Sequence, residues 1–384
     1  MKKGWQTKKL GEICEIDKSQ GIHRGLPYVG LEHIESHTAR FIGDAAPQTV
    51  KSSTFRFTPH HVLYGRLRPY LNKALAPDFN GHCSTEIFPL KPSASITRDY
   101  LLYWLLADET LERINGTCTG ARMPRADMNE VMGFDIPLPP RPEQKRIVGI
   151  LDEAFAGIAA AKATAEQNFQ NARALFESHL NAVFTQRNKG WVEMTLGEAC
   201  ILRSGTTLPK AIERPAGEIP YLKVADMNLS ENLNGVTASS RYVNKRDVNA
   251  SNLLPVGTTI FPKRGGAILT NKKRLTHRVI CADLNIMGVT PKSGLLPEFL
   301  FNFFRRLDLR EINNGSSIPQ INNYSIEPLA IAFPKSTAEQ KAIVAALDAL
   351  SAETARISAH YARKLELLEE LKKSLLHRAF AGKL

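Results

Sequence analysis

The stretch Glu143-Gln144-Lys145-Arg146-Ile147-Val148 returns later in the chain as Glu339-Gln340-Lys341-Ala342-Ile343-Val344. From these hexapeptides the two copies continue without a gap, and 14 of the 42 positions shared by 143–184 and 339–380 are identical. A helix packed on a partner resists insertions, because an added residue would rotate its buried face away from the core. Each copy is therefore predicted to be a helix of fixed length.

The segments before these two stretches also repeat, but with a drifting offset. Gly4-Trp5 and Leu10-Gly11-Glu12 return as Gly190-Trp191 and Leu196-Gly197-Glu198. Leu26-Pro27-Tyr28-Val29 resembles Ile219-Pro220-Tyr221-Leu222, and Cys83 is matched, more loosely, with Cys281. Surface loops tolerate such changes of length. A duplication of this kind predicts two variable globular units, each followed by its helix.

Apolar residues in each predicted helix follow the alternating 4,3 spacing of a coiled coil. The first seam is rich in alanine and the second in large side chains, so the two helices are predicted to pair within one chain. Each would be roughly 60 Å long at about 1.5 Å per residue. Pairing with a helix of another chain is the alternative. The predicted pairing residues are Ile147, Leu151, Ile158, Leu175, Ile343, Leu347, Leu350, Ile357, Tyr361, Leu368, Leu371 and Leu375.

Antiparallel pairing is expected, and it would relate the two globular units by an approximate two-fold axis. Short β-type runs and a helix predicted over 98–115, with its counterpart over 297–313, assign both units to the α+β class. The predicted fold is two tandem α+β domains separated by two long antiparallel coiled-coil helices. The predicted segments are 1–140, 141–187, 188–335 and 336–384.

Composition limits the class of protein and of partner. The net charge is +12, and 188–335 alone holds 19 Lys and Arg against 12 Asp and Glu. Such an excess favours an anionic partner, most often nucleic acid. No apolar run is long enough for a membrane span, and no signal peptide is recognised at the start. Five cysteines without a CxxC pair argue against disulfides and zinc and favour a cytoplasmic location.

Two basic stretches are candidates for DNA contact, because phosphates need cations and base edges need forked or amide side chains. The stretch 263–278 contains no acidic residue, and Gly265-Gly266 would let the backbone approach a phosphate. A solvated turn is the alternative for that stretch. For the stretch Gly65–Lys73 of the first repeat, the alternative is that Tyr70 belongs to the core and Arg68 pairs with an internal carboxylate. The residues selected are Lys263, Arg264, Lys272, Lys273 and Arg274, and, in the first repeat, Arg66, Arg68 and Lys73.

A second pair of loops follows the predicted helix of each globular unit. One is polar and basic, and its counterpart is neutral but rich in hydroxyl and amide groups. Both are candidates for insertion into a DNA groove, although ordinary loops at helix ends look similar. The residues selected are Thr117, Thr119, Arg122 and Arg125 in the first loop, and Ser316, Ser317, Gln320 and Asn322 in the second.

With these repeated motifs, the chain resembles the specificity subunits of type I restriction–modification systems. The resemblance rests on the duplicated openings, on Ile136-Pro137-Leu138-Pro139-Pro140 before Glu143-Gln144, on Gly65–Lys73 and on Ala379-Phe380-Ala381-Gly382-Lys383-Leu384. It implies two target-recognition domains that each read half of a split double-stranded DNA sequence. It also implies two methyltransferase subunits and restriction/translocase subunits as partners. S-adenosylmethionine, ATP and magnesium would be bound by those partners, and no cofactor by this chain.

The two repeats depart from each other at the motifs that carry the resemblance. The second has Phe333-Pro334-Lys335-Ser336 in place of Pro-Leu-Pro-Pro, and Pro262-Lys263-Arg264-Gly265-Gly266 in place of Gly-Arg-Leu-Arg-Pro. Unlike domains would read unlike half-sites. The predicted target is therefore asymmetric.

No catalytic constellation is recognised in the sequence. The GxxxxGK[ST] and HExxH motifs are missing, as is the Asn/Asp-Pro-Pro-Tyr/Phe motif of amino-methyltransferases. His60-His61 and Cys83 fit no metal-ligand spacing, so no metal site is predicted. The expected role is non-catalytic recognition. A stand-alone DNA-binding repressor or coiled-coil scaffold is the alternative, followed by a nuclease with an unrecognised site.

Overall fold

The computed structural model describes residues 4–185, 190–312 and 319–384, which form two compact units. The first unit combines Met1–Gln167 with Tyr361–Leu384, and the second is Asn168–His360. Each unit therefore contains one globular segment and parts of both long helices. The four predicted segments divide the chain in sequence, whereas the units group parts of it in space.

The described residues of the first unit form ten short strands, the start of one long helix and the end of the other. Its strands are β1 (Gln6–Lys9), β2 (Cys14–Ile16), β3 (Gln20–Gly21), β4 (Tyr28–Val29), β5 (Thr54–Phe57), β6 (Val62–Gly65), β7 (Ala74–Leu75), β8 (Gly81–Cys83), β9 (Ile87–Pro92) and β10 (Asp135–Leu138). Its α-helices are α1 (Leu10–Ile13), α2 (Arg98–Leu106), α3 (Asp108–Gly116), α4 (Met128–Met132), the first part of α5 (Arg141–Thr185) and the last part of the C-terminal helix, α10 (Thr337–Phe380).

The second unit repeats this order. Its strands are β11 (Trp191–Thr195), β12 (Cys200–Ser204), β13 (Ile219–Leu222), β14 (Tyr242–Val243), β15 (Leu253–Leu254), β16 (Thr259–Pro262), β17 (Arg274–Leu275), β18 (Ile280–Ala282), β19 (Ile286–Pro291) and β20 (Ala330–Pro334). Its α-helices are the last part of α5, α6 (Leu196–Ala199), α7 (Pro297–Arg306), α8 (Leu309–Ile312), α9 (Asn323–Ile326) and the first part of α10.

The sheets show that the two units share one topology, as the duplication predicts. The order β2-β9-β6-β7 in the first unit matches β12-β19-β16-β17 in the second, and β1-β10 matches β11-β20. In the remaining sheets, β5-β8-β4 corresponds to β15-β18-β13, with a parallel pair in each. Among the described strands, the difference is at the edge of this sheet, where β3 adds beside β5 in the first unit and β14 adds beside β13 in the second.

The registers correct one proposed equivalence. Tyr28 lies opposite His82 in the first unit, and Tyr221 lies opposite Cys281 in the second. If the two tyrosines correspond, Cys281 corresponds to His82 and not to Cys83. A shift of one residue along a strand reverses the face on which a side chain lies, so the match between Cys83 and Cys281 was wrong.

Each helix predicted near the end of a globular segment is two helices. The first is interrupted at Ala107 between α2 and α3, and the second at Leu307 between α7 and α8; both residues have extended backbone. Asn72 donates to the carbonyl of Leu106 at 3.3 Å, and Lys273 donates to that of Leu307 at 2.5 Å. These side chains satisfy carbonyls at the break, which the local sequence does not reveal.

The repeated glutamine of each long helix attaches that helix to its own globular segment. Gln144 is fully buried, donates to the carbonyls of Ser95 and Pro139 at 2.9 Å, and accepts the N–H of Thr97 at 2.7 Å. Gln340 makes the same three bonds in the second unit: it donates to the carbonyls of Gly294 and Pro334 and accepts the N–H of Leu296, each at 2.8 Å. A buried amide requires such partners, which explains why the glutamine recurs at this position.

The two long helices pack antiparallel, as predicted. In the first unit, Ile147 and Leu151 near the start of α5 share a core with Leu376 and Ala379 near the end of α10. In the second unit, Phe184 at the end of α5 packs on the core that contains Val344 near the start of α10. Sequence-distant helix ends therefore close each unit.

The predicted seam positions differ in burial. Ile147, Leu151, Ile158 and Leu347 are buried. Ile343, Leu350, Ile357, Tyr361, Leu368 and Leu375 are half-buried. By contrast, Leu175 and Leu371 are 54% and 47% exposed, so their assignment to the seam was wrong.

The buried face of the helices also includes leucines outside the predicted seam. Leu180 and Leu376 are each 3% exposed. An ideal helix has 3.6 residues per turn, so a strict heptad pattern drifts around it by about 20° per repeat. Adjacent apolar positions such as Leu375 and Leu376 fit either periodicity in the sequence, and only packing separates them.

Candidate nucleic-acid interface

In the first unit, the basic loop after β6 meets the loop that follows α3. The N–H of Arg68 donates to the carbonyl of Pro124 at 2.7 Å, and the N–H of Ala126 donates to the carbonyl of Arg66 at 2.9 Å. Backbone hydrogen bonds therefore join two loops that the sequence indicated separately as candidates for DNA contact. We call this contact the loop junction of the first unit.

The second unit contains an equivalent loop junction after β16. The N–H of Gly265 donates to the carbonyl of Pro319 at 2.8 Å, and the N–H of Ile321 donates to the carbonyl of Lys263 at 2.9 Å. The same pattern of bonds joins the corresponding loops, although the side chains differ. The fold therefore supplies one backbone framework twice.

Two arginines of the first junction share one carboxylate. The Nε of Arg66 lies 3.0 Å from Oε2 of Glu86, and the Nε and Nη2 of Arg125 lie 2.9 and 2.8 Å from Oε1. Partial burial raises the pKa of Glu86, but the hydrogen bonds from Arg125 and Arg66 outweigh it and hold that pKa below its usual value. Glu86 was not among the predicted site residues, because an isolated glutamate carries no sequence signal.

The other predicted residues of the first unit divide into exposed and internal groups. Arg68, Thr119 and Arg122 are exposed. Thr117 is 8% exposed; its hydroxyl donates to the carbonyl of Ile114 and accepts the N–H of Asp127. Lys73 donates to the carbonyls of Leu31 and Ile34 at 2.6 and 2.8 Å. Thr117 and Lys73 therefore hold the fold together at these contacts.

The predicted lysines of the second unit also donate hydrogen bonds within the chain. Lys263 is 7% exposed and donates to the hydroxyl of Ser204 at 2.7 Å. Lys273 is 7% exposed, and burial lowers its pKa to about 8. Lys272 donates to the side-chain oxygen of Asn228, and Arg274 donates to the carbonyl of Lys273 at 2.9 Å.

Arg264, which is exposed, and two half-buried amide side chains form the polar part of the second junction. Arg264 is exposed and lies in a β-bridge with Gln320. The amide of Gln320 donates to Oδ1 of Asn322 at 2.8 Å, and the amide of Asn322 donates to the hydroxyl of Tyr324 at 3.0 Å. The predicted residues Ser316 and Ser317 lie outside the described residues.

Large exposed side chains border both junctions. Tyr70 is 49% exposed and Met123 46% exposed in the first unit, and Leu269 and Tyr324 are 57% and 65% exposed in the second. Apolar and aromatic side chains on a basic surface suit contact with bases and sugars. Tyr324 was not selected from the sequence, because nothing in its local pattern separates an exposed tyrosine from a buried one.

In the described part of the chain, no group of three or more His, Cys, Asp and Glu is arranged to hold a metal ion. Burial raises the pKa of Cys14 and of Cys200 to about 12, so these thiols stay protonated near neutral pH. Among the described helices, none combines the length and apolarity that crossing a membrane requires.

Comparison with known families assigns the chain. Residues 48–167 and 188–367 match the model of the type I restriction modification DNA specificity domain. The chain belongs to this family. The match occurs twice and covers most of both repeats, so the resemblance predicted from the duplicated motifs is confirmed, and the chain is a type I specificity subunit.

Individual relatives are distant in sequence. The chain is 25% identical to the specificity subunit of the type I restriction enzyme EcoDI of Escherichia coli, over 40% of this chain and 35% of that relative. It is 24% identical to the StySPI specificity subunit of Salmonella potsdam, over 79% of this chain and 69% of that relative. The chain thus matches about a third of the length of the first relative and about two thirds of the second.

Solved structures share the fold. A chain from a study of complex assembly and conformational transition of the type I R-M system superposes with a TM-score of 0.82 at 20% identity, covering 100% of this chain and 99% of that one. The HsdS subunit from Thermoanaerobacter tengcongensis superposes with a TM-score of 0.66, also at 20% identity, covering 100% and 98%. Both comparisons confirm two α+β domains with long helices.

Proposed function

We propose that this specificity subunit reads a split, asymmetric DNA sequence, one half with each loop junction. The observation that carries the proposal is that the same backbone junction is built twice and fitted with unlike side chains. The first presents arginines on a carboxylate, and the second presents Arg264 with amides. Arginine favours guanine edges and asparagine or glutamine favours adenine edges, which supports unlike half-sites.

The subunit itself would be non-catalytic and would hold the enzymes that act on the DNA. Membership in the specificity family supports docking of two methyltransferase subunits and of restriction/translocase subunits. Those partners would bind S-adenosylmethionine, ATP and magnesium. The complex would work in the cytoplasm, where the DNA is accessible to it.

A map of methylated bases tests this proposal. The chain is expressed, together with the modification subunit encoded beside it, in a host without DNA methylation, and the DNA is sequenced by a long-read method that detects modified bases. We expect one split motif with two unlike halves and a fixed gap. No motif, with both proteins present and soluble, would contradict the proposal and favour a repressor or scaffold.

Variants of the two junctions sharpen this test. Arg66→Ala should relax the motif in one half only, and Gln320→Ala should relax it in the other half only, because each side chain lies in a different unit. A correct base contact typically contributes about 1–3 kcal/mol of discrimination. If either single variant relaxed both halves of the motif, this would contradict the assignment of one half-site to each junction.

A further inference from the structure

Glu86 lies in the loop between β8 and β9 and bonds arginines from two other segments. Arg66 lies 20 residues before it and Arg125 39 residues after it. The side chains are 24%, 33% and 38% exposed for Glu86, Arg66 and Arg125. The three charges are therefore accessible at the surface but held in one arrangement.

A carboxylate on a DNA-binding surface has an energetic cost, because it repels phosphates. Two arginines without it would bind the backbone more strongly, but long side chains on separate loops would be free to rotate. With Glu86 present, the group keeps a net charge of one and loses that freedom. The arrangement therefore weakens the nonspecific attraction to phosphates and fixes the orientation of the arginines.

The orientation of Arg66 leaves its reading edge open. Its Nε is bonded to Glu86, and its guanidinium lies over the ring of Phe88, 5.3 Å from the centroid. Within the described residues, its two terminal nitrogens have no hydrogen-bond partner. Two parallel N–H groups of this kind match O6 and N7 of guanine in the major groove.

We propose that Glu86 is a positioning residue for sequence readout, which orients Arg66 toward a guanine of the first half-site. This inference rests on the proposed function. Among the described residues of the second unit, the arrangement differs: Asn285 stands where Glu86 does, as the acceptor of the N–H at the start of the basic loop, and its amide donates to Asp283. The proposed positioning role is therefore specific to the first half-site.

Glu86→Gln tests the proposal, because it keeps the shape of the side chain and removes its charge. The full chain, in complex with its modification subunit, is titrated with the cognate duplex, with duplexes in which each guanine of the half-site is replaced, and with an unrelated duplex. We expect discrimination at one guanine to fall about tenfold. Affinity for the unrelated duplex should be unchanged or higher, because one negative charge is removed.

Two control variants separate orientation from charge and from folding. Glu15→Gln removes a carboxylate that pairs with Lys91 on the same unit, away from the junction, and should leave discrimination intact. Arg66→Lys keeps the positive charge but loses the fork, and should reproduce the loss of discrimination seen in Glu86→Gln. Thermal unfolding is measured for every variant.

The outcomes are distinguishable. Equal losses of affinity on all duplexes, or unchanged discrimination in Glu86→Gln, would overturn the positioning role. The proposed function would still stand, as long as the wild-type complex prefers its own sequence. A wild-type complex that binds every duplex equally would overturn the proposed function, and the positioning role with it. Loss of discrimination with retained binding to the unrelated duplex supports the inference.

Discussion

Asp226 is a buried carboxylate of the second unit, 3% exposed. It accepts the N–H of Lys223 at 2.8 Å, the hydroxyl and N–H of Ser240 at 2.6 and 3.1 Å, and the hydroxyl of Ser239 at 3.2 Å. Burial raises the pKa of Asp226, but these hydrogen bonds outweigh it, and the pKa lies below its ordinary value. The ionised form therefore organises the loop around it.

Asp226→Asn is expected to lower the free energy of unfolding of the second unit by about 2–3 kcal/mol, because an amide nitrogen would face donors. The folded pKa of Asp226 is depressed, so its contribution is present above the ordinary aspartate value of about 4 and is lost as pH falls through the folded pKa. The difference between wild type and variant, measured by thermal unfolding, should shrink at low pH. The exposed Asp44→Asn serves as control, and a difference that is constant with pH would contradict this account.

At the scale of the helix, Leu371 and Leu376 of α10 are a matched pair. Both leucines belong to the apolar pattern of the helix, but Leu376 is 3% exposed and Leu371 is 47% exposed. Leu376 packs in the core of the first unit with Ile147 and Leu151. Periodicity alone did not separate the two positions, because they are five residues apart on a helix whose buried stripe drifts.

Leu376→Ala is expected to lower the free energy of unfolding by about 2–5 kcal/mol, since it removes buried methyl groups and leaves a cavity. Leu371→Ala should change it by less than about 0.5 kcal/mol, as is usual for a surface position. Chemical denaturation of both variants measures the difference. Similar losses for the two would mean that Leu371 also packs in a core, against the structure.

At the scale of the whole molecule, the end of the chain belongs to the unit that contains its beginning. The rings of Phe380 and Tyr100 meet edge to face, with their centroids 5.2 Å apart, and the ammonium of Lys373 lies 3.0 Å from the carboxylate of Asp108. Arg146 also donates to the carbonyl of Leu384 at 2.8 Å. The last residues therefore close the core of the first unit and not that of the globular segment nearest in sequence.

Removal of 361–384 is expected to destabilise the first unit selectively. Amide hydrogen exchange should accelerate in β6 and β9 of that unit, because Leu376, Ala379 and Phe380 no longer cover its core. Protection of β16 and β19 in the second unit should persist. Accelerated exchange in the second unit with unchanged protection in the first would show that the C-terminal segment supports the other core.

Much of this architecture follows from the sequence alone. The gapless repeat that begins at Glu143 and Glu339 determined two helices of nearly equal length, and the structure has them at 45 and 44 residues. The drifting repeat before each determined two related α+β segments. Repetition and periodicity are local properties of the chain, so the sequence contains them in full.

Only the tertiary structure decided which side chains meet. Lys73 and Lys273 belong to basic stretches, yet their ammonium groups bond backbone carbonyls of the fold. Glu86 joins Arg66 and Arg125 although the three are far apart in the chain. A lysine or glutamate has the same local sequence whether it faces solvent or a partner, and its partner is set by long-range packing, which no local pattern encodes.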